Sequence, residues 1–467
     1  MHIHILGICG TFMAGIAVLA KQLGFQVSGA DTNFYPPMSD LLMQQQIKTY
    51  TGYDKLAVTD ADLIIIGNAM SRGIGVIEEI LNSKQAYISG PQWLANNVLI
   101  NKKVVAISGT HGKTTTSSML TWILQQNDID AGFLIGGKAA YLDNSAALGT
   151  SDIFVIEADE YDSAFFDKRS KFIHYCPHTL VINNLEYDHA DIFPNLAAIQ
   201  TQFHHLVRTV PSNGTIVYPH ANCNIDAVLA QGCWSNLVSF STSNSSDTLN
   251  NSLNWQAQLL ADDGSEFEIY QHGKLIDRVN WQLIGLHNVN NALAAIASAS
   301  QLGVQPQDAI AALNNFSGVK RRLELLAHTN NTYLYDDFAH HPSAIATTAT
   351  GLRNKIGKSA QLTLVIELAS NSMRAGIHHA ALPEATGAAD TVIWYTHEQL
   401  EQTFSKKLTH NPTHSLSTNL AQITDSLTIN QYHEQHIVVM SNGDSKAIWQ
   451  TIAKSLKLSP CVLHSKV

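Results

Sequence analysis

The chain is short of basic charge: 28 Lys and Arg stand against 38 Asp and Glu, for a formal net charge of -10. A nucleic-acid partner calls for clustered Lys and Arg along a phosphate backbone, so that class is excluded as the main ligand. Charge of either sign is scarce at 14% of residues, against about a quarter in an average soluble domain. The five cysteines, Cys9, Cys176, Cys223, Cys233 and Cys461, are scattered and form no CxxC pair. That excludes a disulfide framework and a thiolate zinc site, and it suits a reducing compartment. No run reaches the roughly 18 unbroken apolar residues of a membrane span. Residues 3–20 are mostly apolar, but no basic segment precedes them, and Gly7 and Gly10 interrupt them as a strand–turn–helix would. These absences predict a soluble, cytoplasmic protein that works on small molecules, with no membrane, no nucleic acid and no obligate protein partner.

What is present is enough apolar material, 45% of 467 residues, for two to four cores. Three times an apolar run leads into a loop of special chemistry and then a helical pattern. His2–Leu6 runs into Gly7-Ile8-Cys9-Gly10 and a pattern over 13–23; Lys103–Ser108 runs into Gly109-Thr110-His111-Gly112-Lys113 and a pattern over 114–126. Residues 332–335 run into Asp336-Asp337-Phe338-Ala339-His340-His341-Pro342 and a pattern over 343–353. Short β-branched runs recur at 63–66, 153–156, 179–182, 362–366, 391–394 and 437–440. Such alternation predicts an α/β protein of mainly parallel sheets with helices on both faces. Breaks near Asn101 and Leu323 divide it into three domains, 1–101, 102–322 and 323–467. The Ser-, Asn- and Thr-rich stretch 241–252 reads as a surface excursion in the second.

The strongest local signal is Gly109-Thr110-His111-Gly112-Lys113-Thr114-Thr115. A glycine-rich turn between strand and helix aims backbone N–H groups and the positive helix end at a polyphosphate. Lys113 then reaches the β- and γ-phosphates, and Thr114 is placed for Mg²⁺. The strict pattern has a glycine where Ile107 stands, so this is a shortened variant; an ordinary tight turn is the bland alternative. Such a loop needs an acidic metal partner at the end of a neighbouring strand. Glu157 is the candidate, while Asp159, Glu160 and Asp162 read as a solvated acidic loop. His189, beyond residues 179–182, is either a second metal ligand or a structural hydrogen-bonder. Asn288 and Asn291 lie three apart at the head of an alanine-rich helical pattern over 291–301, hence on one face. An N-cap by Asn288 is the competing reading. Arg321 and Arg322 follow Gly318, a hinge position from which an arginine can meet phosphate once domains close.

Taken in order, Gly109–Thr115, Glu157, His189, Gly285-Leu286-His287-Asn288-Val289-Asn290-Asn291, Arg321-Arg322-Leu323-Glu324 and Asp337-Phe338-Ala339-His340 resemble the Mur ligases, and the resemblance spans the chain. It implies an N-terminal Rossmann-like UDP-binding domain, a central P-loop ATPase-like domain and a C-terminal Rossmann-like domain. It also implies ATP- and Mg²⁺-dependent amide ligation in peptidoglycan synthesis. By that resemblance Gly109, Thr110, His111, Gly112, Lys113, Thr114 and Thr115 hold ATP, and Thr114, Glu157 and His189 hold the metal. Asn288 and Asn291 flank adenine, Asp337 meets the ribose, and Arg322 reaches phosphate from the third domain. Lys113, Glu157, His189 and Arg322 form the implied catalytic set. Several family members carry a metal-bridging lysine where this chain has Gln202-Phe203-His204-His205-Leu206, without one. The branch acting on UDP-N-acetylmuramate lacks it too.

The first glycine-rich loop invites a dinucleotide reading with Asp31 on the ribose, but Cys9 and Phe12 occupy two of the three required glycine positions. The UDP group fits better, with Cys9, Gly10, Thr11, Phe12, Asp31 and Asn68 as its candidates. Tyr35-Pro36-Pro37-Met38-Ser39, Ser89-Gly90-Pro91-Gln92-Trp93-Leu94 and the run Phe165-Phe166-Asp167-Lys168-Arg169-Ser170-Lys171-Phe172 resemble the recycling branch of the family. That branch joins a whole murein tripeptide, L-alanyl-γ-D-glutamyl-meso-diaminopimelate, to the lactyl carboxylate through an acyl phosphate. Ser370, Asn371, Met373 and Arg374 are the implied peptide contacts. Leu368 and Ala369 replace the branch's proline and arginine, Arg374 being a possible substitute cation, and Asp444 departs as well. His340 or His341 either serves phosphate or a proton, or caps the helix that follows. Two rivals stay open: ligation of L-alanine alone, and a nucleotide-binding regulator that no longer ligates.

Overall fold

The computed structural model describes residues 1–461 except 54–57, 59, 137–140, 142–143, 245–248, 330, 397–403, 406–407, 409–412 and 428–433. Part of the 241–252 excursion therefore lies outside the described residues. Three large sheets are present, one in each third of the chain. The first has five parallel strands in the order Lys48–Thr51, Gln26–Asp31, His2–Leu6, Leu63–Ile66, Tyr87–Ser89. The second has ten, with Thr179–Ile182, Lys103–Ser108 and Ile153–Glu157 adjacent and parallel at its centre. The third has seven, its middle built from Gln361–Glu367, Gln435–Met440 and Thr332–Asp337. Thr179–Ile182, Lys103–Ser108 and Ile153–Glu157 are largely apolar and buried, as strands covered on both faces are.

Both edges of the second sheet are antiparallel, one of them the short pair Gly132–Leu134 with Ala146–Ala147. Trp255–Leu259, Glu266–Gln271 and Lys274–Asn280 form an antiparallel meander at the other edge. His272 and Gly273, with φ of 47° and 74°, close the last hairpin, as a tight two-residue turn requires. Asp336 and Asp337 are also strand residues rather than loop. Their buried carboxylates are met at once, Asp336 by Arg321 and Asp337 by the Leu323 and Ala339 N–H groups.

Glycines set how closely the domains approach. A Cβ at Gly15 would fall 2.2 Å from Leu134 Cδ1, so its absence lets the Thr11–Gln22 helix seat on the second sheet. A Cβ at Gly351 would fall 2.7 Å from the Gly285 Cα, so the Pro342–Ile356 helix meets the second domain backbone to backbone. Among the described residues no helix is long and apolar enough to cross a membrane.

Candidate functional site

A cleft of about 800 Å³ opens where the three parts of the chain meet, within the range of small-molecule sites. The turn from Lys103–Ser108 into the Lys113–Gln126 helix forms its floor. Gly109 and Gly112 hold φ of 129° and 82° there. A Cβ on Gly112 would strike Asn291 Oδ1 at 2.4 Å. Lys113 Nζ donates to the Gly109 carbonyl at 2.7 Å and lies 3.4 Å from Glu160 and 3.6 Å from Asp159. Burial alone would lower its ammonium, but Glu160, Asp159 and Glu157 outweigh burial and leave it raised, hence charged.

Glu157 closes its strand and accepts from Gly136 N at 2.8 Å. Burial and the neighbouring charge of Asp159 push its carboxyl up to about 7, against the hydrogen bonds of Gly136 and Thr114. A carboxylate so disfavoured as an anion, beside a threonine hydroxyl and further acids, is a fitting oxygen donor set for Mg²⁺. Glu160 corrects the solvated-loop expectation: it is 3% exposed, shared between Lys113 and His189 Nε2 at 3.0 Å. His189, at φ 54°, also holds the Tyr161 hydroxyl at 2.8 Å through Nδ1. Both of its ring nitrogens are thus engaged, and in this arrangement it is a hydrogen-bonder.

The third domain supplies the opposite wall. Arg321 (φ 59°) is consumed by Asp336 and by the carbonyls of Ser441 and Gly443, each at 2.8 Å. Arg322 instead lines the cleft over the Phe338 ring, 5.0 Å from its centroid. Asp337 and Asn288 line the same space. The helix Leu286–Gln301 begins after Gly285, so Asn288 is not its N-cap; its amide donates back to the Ile284 carbonyl at 2.8 Å. Asn291 is buried and accepts from the Thr116 hydroxyl at 3.1 Å, bracing the glycine turn from behind. His341 caps the Pro342–Ile356 helix through Ser343, and His340 bonds the Phe338 carbonyl at 2.9 Å. Burial brings both imidazoles down to about 4, hence neutral near pH 7. Among the described residues His287 Nδ1 is buried without a hydrogen-bond partner, as a group awaiting a ligand would be, while His111 Nε2 lies 3.7 Å from Glu186 Oε2.

The same helix head reaches across to the second domain. Ser343 Oγ donates to Glu186 Oε2 at 2.6 Å, and His341 Nδ1 lies 3.1 Å from that oxygen. Ser372 donates to Asp188 at 2.7 Å, and Asn371 to Asp191 at 3.0 Å. The expected peptide contacts are therefore not all available. Met373 is fully buried in the third core and Ser370 caps the Asn371–Arg374 turn, whereas Arg374 is exposed.

In the first domain Thr11 reaches the cleft rim, but Cys9, Gly10, Phe12, Asp31 and Asn68 do not. Asp31 accepts from Cys9 N at 2.9 Å and so braces the glycine loop. The Cys9 side chain is buried, and with its N–H held by Asp31 the residue shapes the loop.

Three family descriptions fit the chain in order: "Mur ligase family, catalytic domain" over residues 2–100, "Mur ligase middle domain" over 107–299 and "Mur ligase, glutamate ligase domain" over 321–443. The chain is 46% identical over 460 residues to the UDP-N-acetylmuramate–L-alanyl-γ-D-glutamyl-meso-2,6-diaminoheptandioate ligase of Haemophilus influenzae, covering 98% of this chain and 99% of that one. The chain belongs to the Mur ligase family. The Escherichia coli protein of the same name is 47% identical over 465 residues, 98% of each chain. The crystal structure of a murein peptide ligase from Psychrobacter arcticus superposes with a TM-score of 0.74 at 43% identity, covering 98% of each chain. Mur ligases are ATP-dependent amide ligases, and this chain is an ATP-dependent ligase forming C–N bonds.

Within this Mur ligase, sequence reasoning missed Glu160, Tyr161, Glu186 and Ser343. Glu160 stands in the acidic run after Glu157 and Glu186 three residues before His189, and that nearness was the available signal. Ser343 carried none, because its partner is 157 positions away.

Proposed function

We propose that the chain joins the lactyl carboxylate of UDP-N-acetylmuramate to the α-amine of L-alanyl-γ-D-glutamyl-meso-diaminopimelate, with cleavage of ATP, as a cytoplasmic enzyme of peptidoglycan recycling. The observation that carries this reading is one cleft lined by Lys113 of the second domain and by Arg322 and Asp337 at the join to the third, with Thr11 of the first on its rim. The similarity to two ligases named for this reaction supports it. In this reading residues 1–101 take the UDP substrate, 102–322 take ATP, and 323–467 take the peptide.

The mechanism follows from the groups in place. A carboxylate oxygen of the lactyl group attacks the γ-phosphorus, the bond to the β-phosphate oxygen breaks, and ADP leaves. The amine then attacks the acyl phosphate carbon, and the tetrahedral intermediate expels phosphate and loses a proton. Gly109, Thr110, His111, Gly112 and Thr115 cradle the phosphates, while Lys113 and Arg322 neutralise charge that develops on them. Thr114 and Glu157, with His189 in place of its bond to Glu160, would hold Mg²⁺, which would supply further charge neutralisation. Asn288 and Asn291 bound the adenine side and Asp337 the ribose. Backbone N–H groups of Thr11 and Phe12, at the head of the Thr11–Gln22 helix, meet the UDP phosphates, with Cys9 and Gly10 shaping the loop near Asp31 and Asn68. Arg374 is the peptide-side cation, with Ser370, Asn371 and Met373 as its frame.

The test is phosphate release. Wild type should release phosphate only with ATP, UDP-N-acetylmuramate and tripeptide together, and Lys113→Ala should lower that rate by roughly 100-fold or more. Unchanged release in Lys113→Ala would refute the assignment of the glycine turn.

A further inference from the structure

Three cations stand close together after the Asp162–Ala164 strand, and two of them are neutralised. Lys168 lies 2.6 Å from Asp162 and Arg169 lies 2.8 Å from Asp167, both cations exposed. The third, Lys171, is 7% exposed and has no carboxylate within ion-pair distance among the described residues. Its Nζ instead lies over two rings, 5.3 Å from the centre of Phe12 and 5.7 Å from that of Tyr161. Asp159, Asp162 and Glu160 act on it only at longer range, and burial dominates, lowering its ammonium. A cation stripped of water without a close anion is costly to a fold. An aromatic face returns only part of that cost.

Its position says what the charge is for. Phe12 follows the glycine-rich loop of the first domain, and Tyr161 holds His189 at the ATP cleft. The Lys171 N–H donates to the Tyr161 carbonyl at 2.8 Å, and Ser170 Oγ to the Glu160 carbonyl at 2.6 Å, so the lysine is fixed to the loop bearing Glu160. The lysine thus sits between Phe12 of the first-domain loop and Tyr161 of the cleft that holds Lys113. We propose that Lys171 is the cation that receives an anionic group of the sugar nucleotide, its diphosphate or its lactyl carboxylate. This rests on the UDP-N-acetylmuramate reading given above.

The experiment is calorimetric titration of wild type, Lys171→Met and Lys171→Arg with UDP-N-acetylmuramate, UDP-N-acetylglucosamine and ADP. Methionine keeps the length and drops the charge, so Kd for UDP-N-acetylmuramate should rise roughly 10–100-fold, with ADP affinity and unfolding midpoint not lowered. Lys171→Arg should keep most of the binding. UDP-N-acetylglucosamine has the diphosphate and lacks the lactyl carboxylate. Parallel loss with both sugars assigns the contact to the diphosphate, and loss confined to UDP-N-acetylmuramate assigns it to the carboxylate. Unchanged affinity for both sugars, or ADP binding lost in step with them, overturns the proposal. Wild type that binds neither sugar would instead sink the substrate reading on which it rests.

Discussion

At the scale of single residues, the site is organised by a buried acid that local sequence reads as surface. Glu160 holds Lys113 and His189 at once. Burial would raise its carboxyl, but the two cations and their hydrogen bonds bring it down to about 2. Glu160→Gln removes the shared anchor, so kcat should fall roughly 10–100-fold with ADP affinity nearly kept, and the melting temperature should drop because Lys113 and His189 lose a buried anion; an unchanged kcat would contradict this positioning role. The glycine turn was legible because backbone conformation and phosphate chemistry both act within seven consecutive residues. The fate of Glu160 was not, because Ser170 and Lys171 fold back onto its loop from ten residues away. His4 gives a residue-scale pH dependence. Burial, and secondly the charge of His2, lower its imidazole from 6.5 to about 4. A folded value below the unfolded one means stability is fully present above pH 6.5 and declines as pH falls toward about 4. The shift corresponds to on the order of 3 kcal/mol. Urea midpoints of wild type should drop between pH 7 and 4.5 more than those of His4→Gln; equal drops would refute the assignment.

Elements were more legible than side chains. The apolar runs 63–66, 153–156 and 179–182 are central parallel strands, where continuous β-branched sequence is the expected signal. The antiparallel meander over Trp255–Asn280 escaped because its two outer strands are half exposed or more; Glu266–Gln271 alternates buried and accessible positions that a search for apolar runs passes over. The contact of the Pro342–Ile356 helix with Gly285 was likewise hidden, since it needs no side chain on either partner. Gly351→Ala should force the two backbones apart, costing about 1–3 kcal/mol of overpacking. The displacement falls on the helix that carries Asn288, so KM for ATP should rise several-fold more than KM for the sugar nucleotide. Equal kinetics and equal melting temperatures would show that the seam is not as close as described.

At the scale of the whole molecule, no domain carries the site alone. Lys113 and Glu157 come from the carboxyl ends of the second sheet's central strands, Arg322 and Asp337 from the join to the third domain, and Thr11 from the first. The order of motifs along the chain was enough to expect this convergence. It was not enough to reveal the clasp of Ser343 on Glu186 and Ser372 on Asp188, which ties the third domain over the cleft. That clasp also decides the fate of the peptide-side residues, since Asn371 and Ser372 are spent on it and Met373 on the core. Arg374 then remains as the exposed cation near Ala369, where the recycling branch has its arginine. The amine accepted is therefore the claim most in need of direct measurement. Purified protein should be given ATP and UDP-N-acetylmuramate with either L-alanyl-γ-D-glutamyl-meso-diaminopimelate or free L-alanine, and phosphate and ligated product followed together. Turnover with the tripeptide and little with L-alanine is the predicted result; turnover with L-alanine and none with the tripeptide would contradict it.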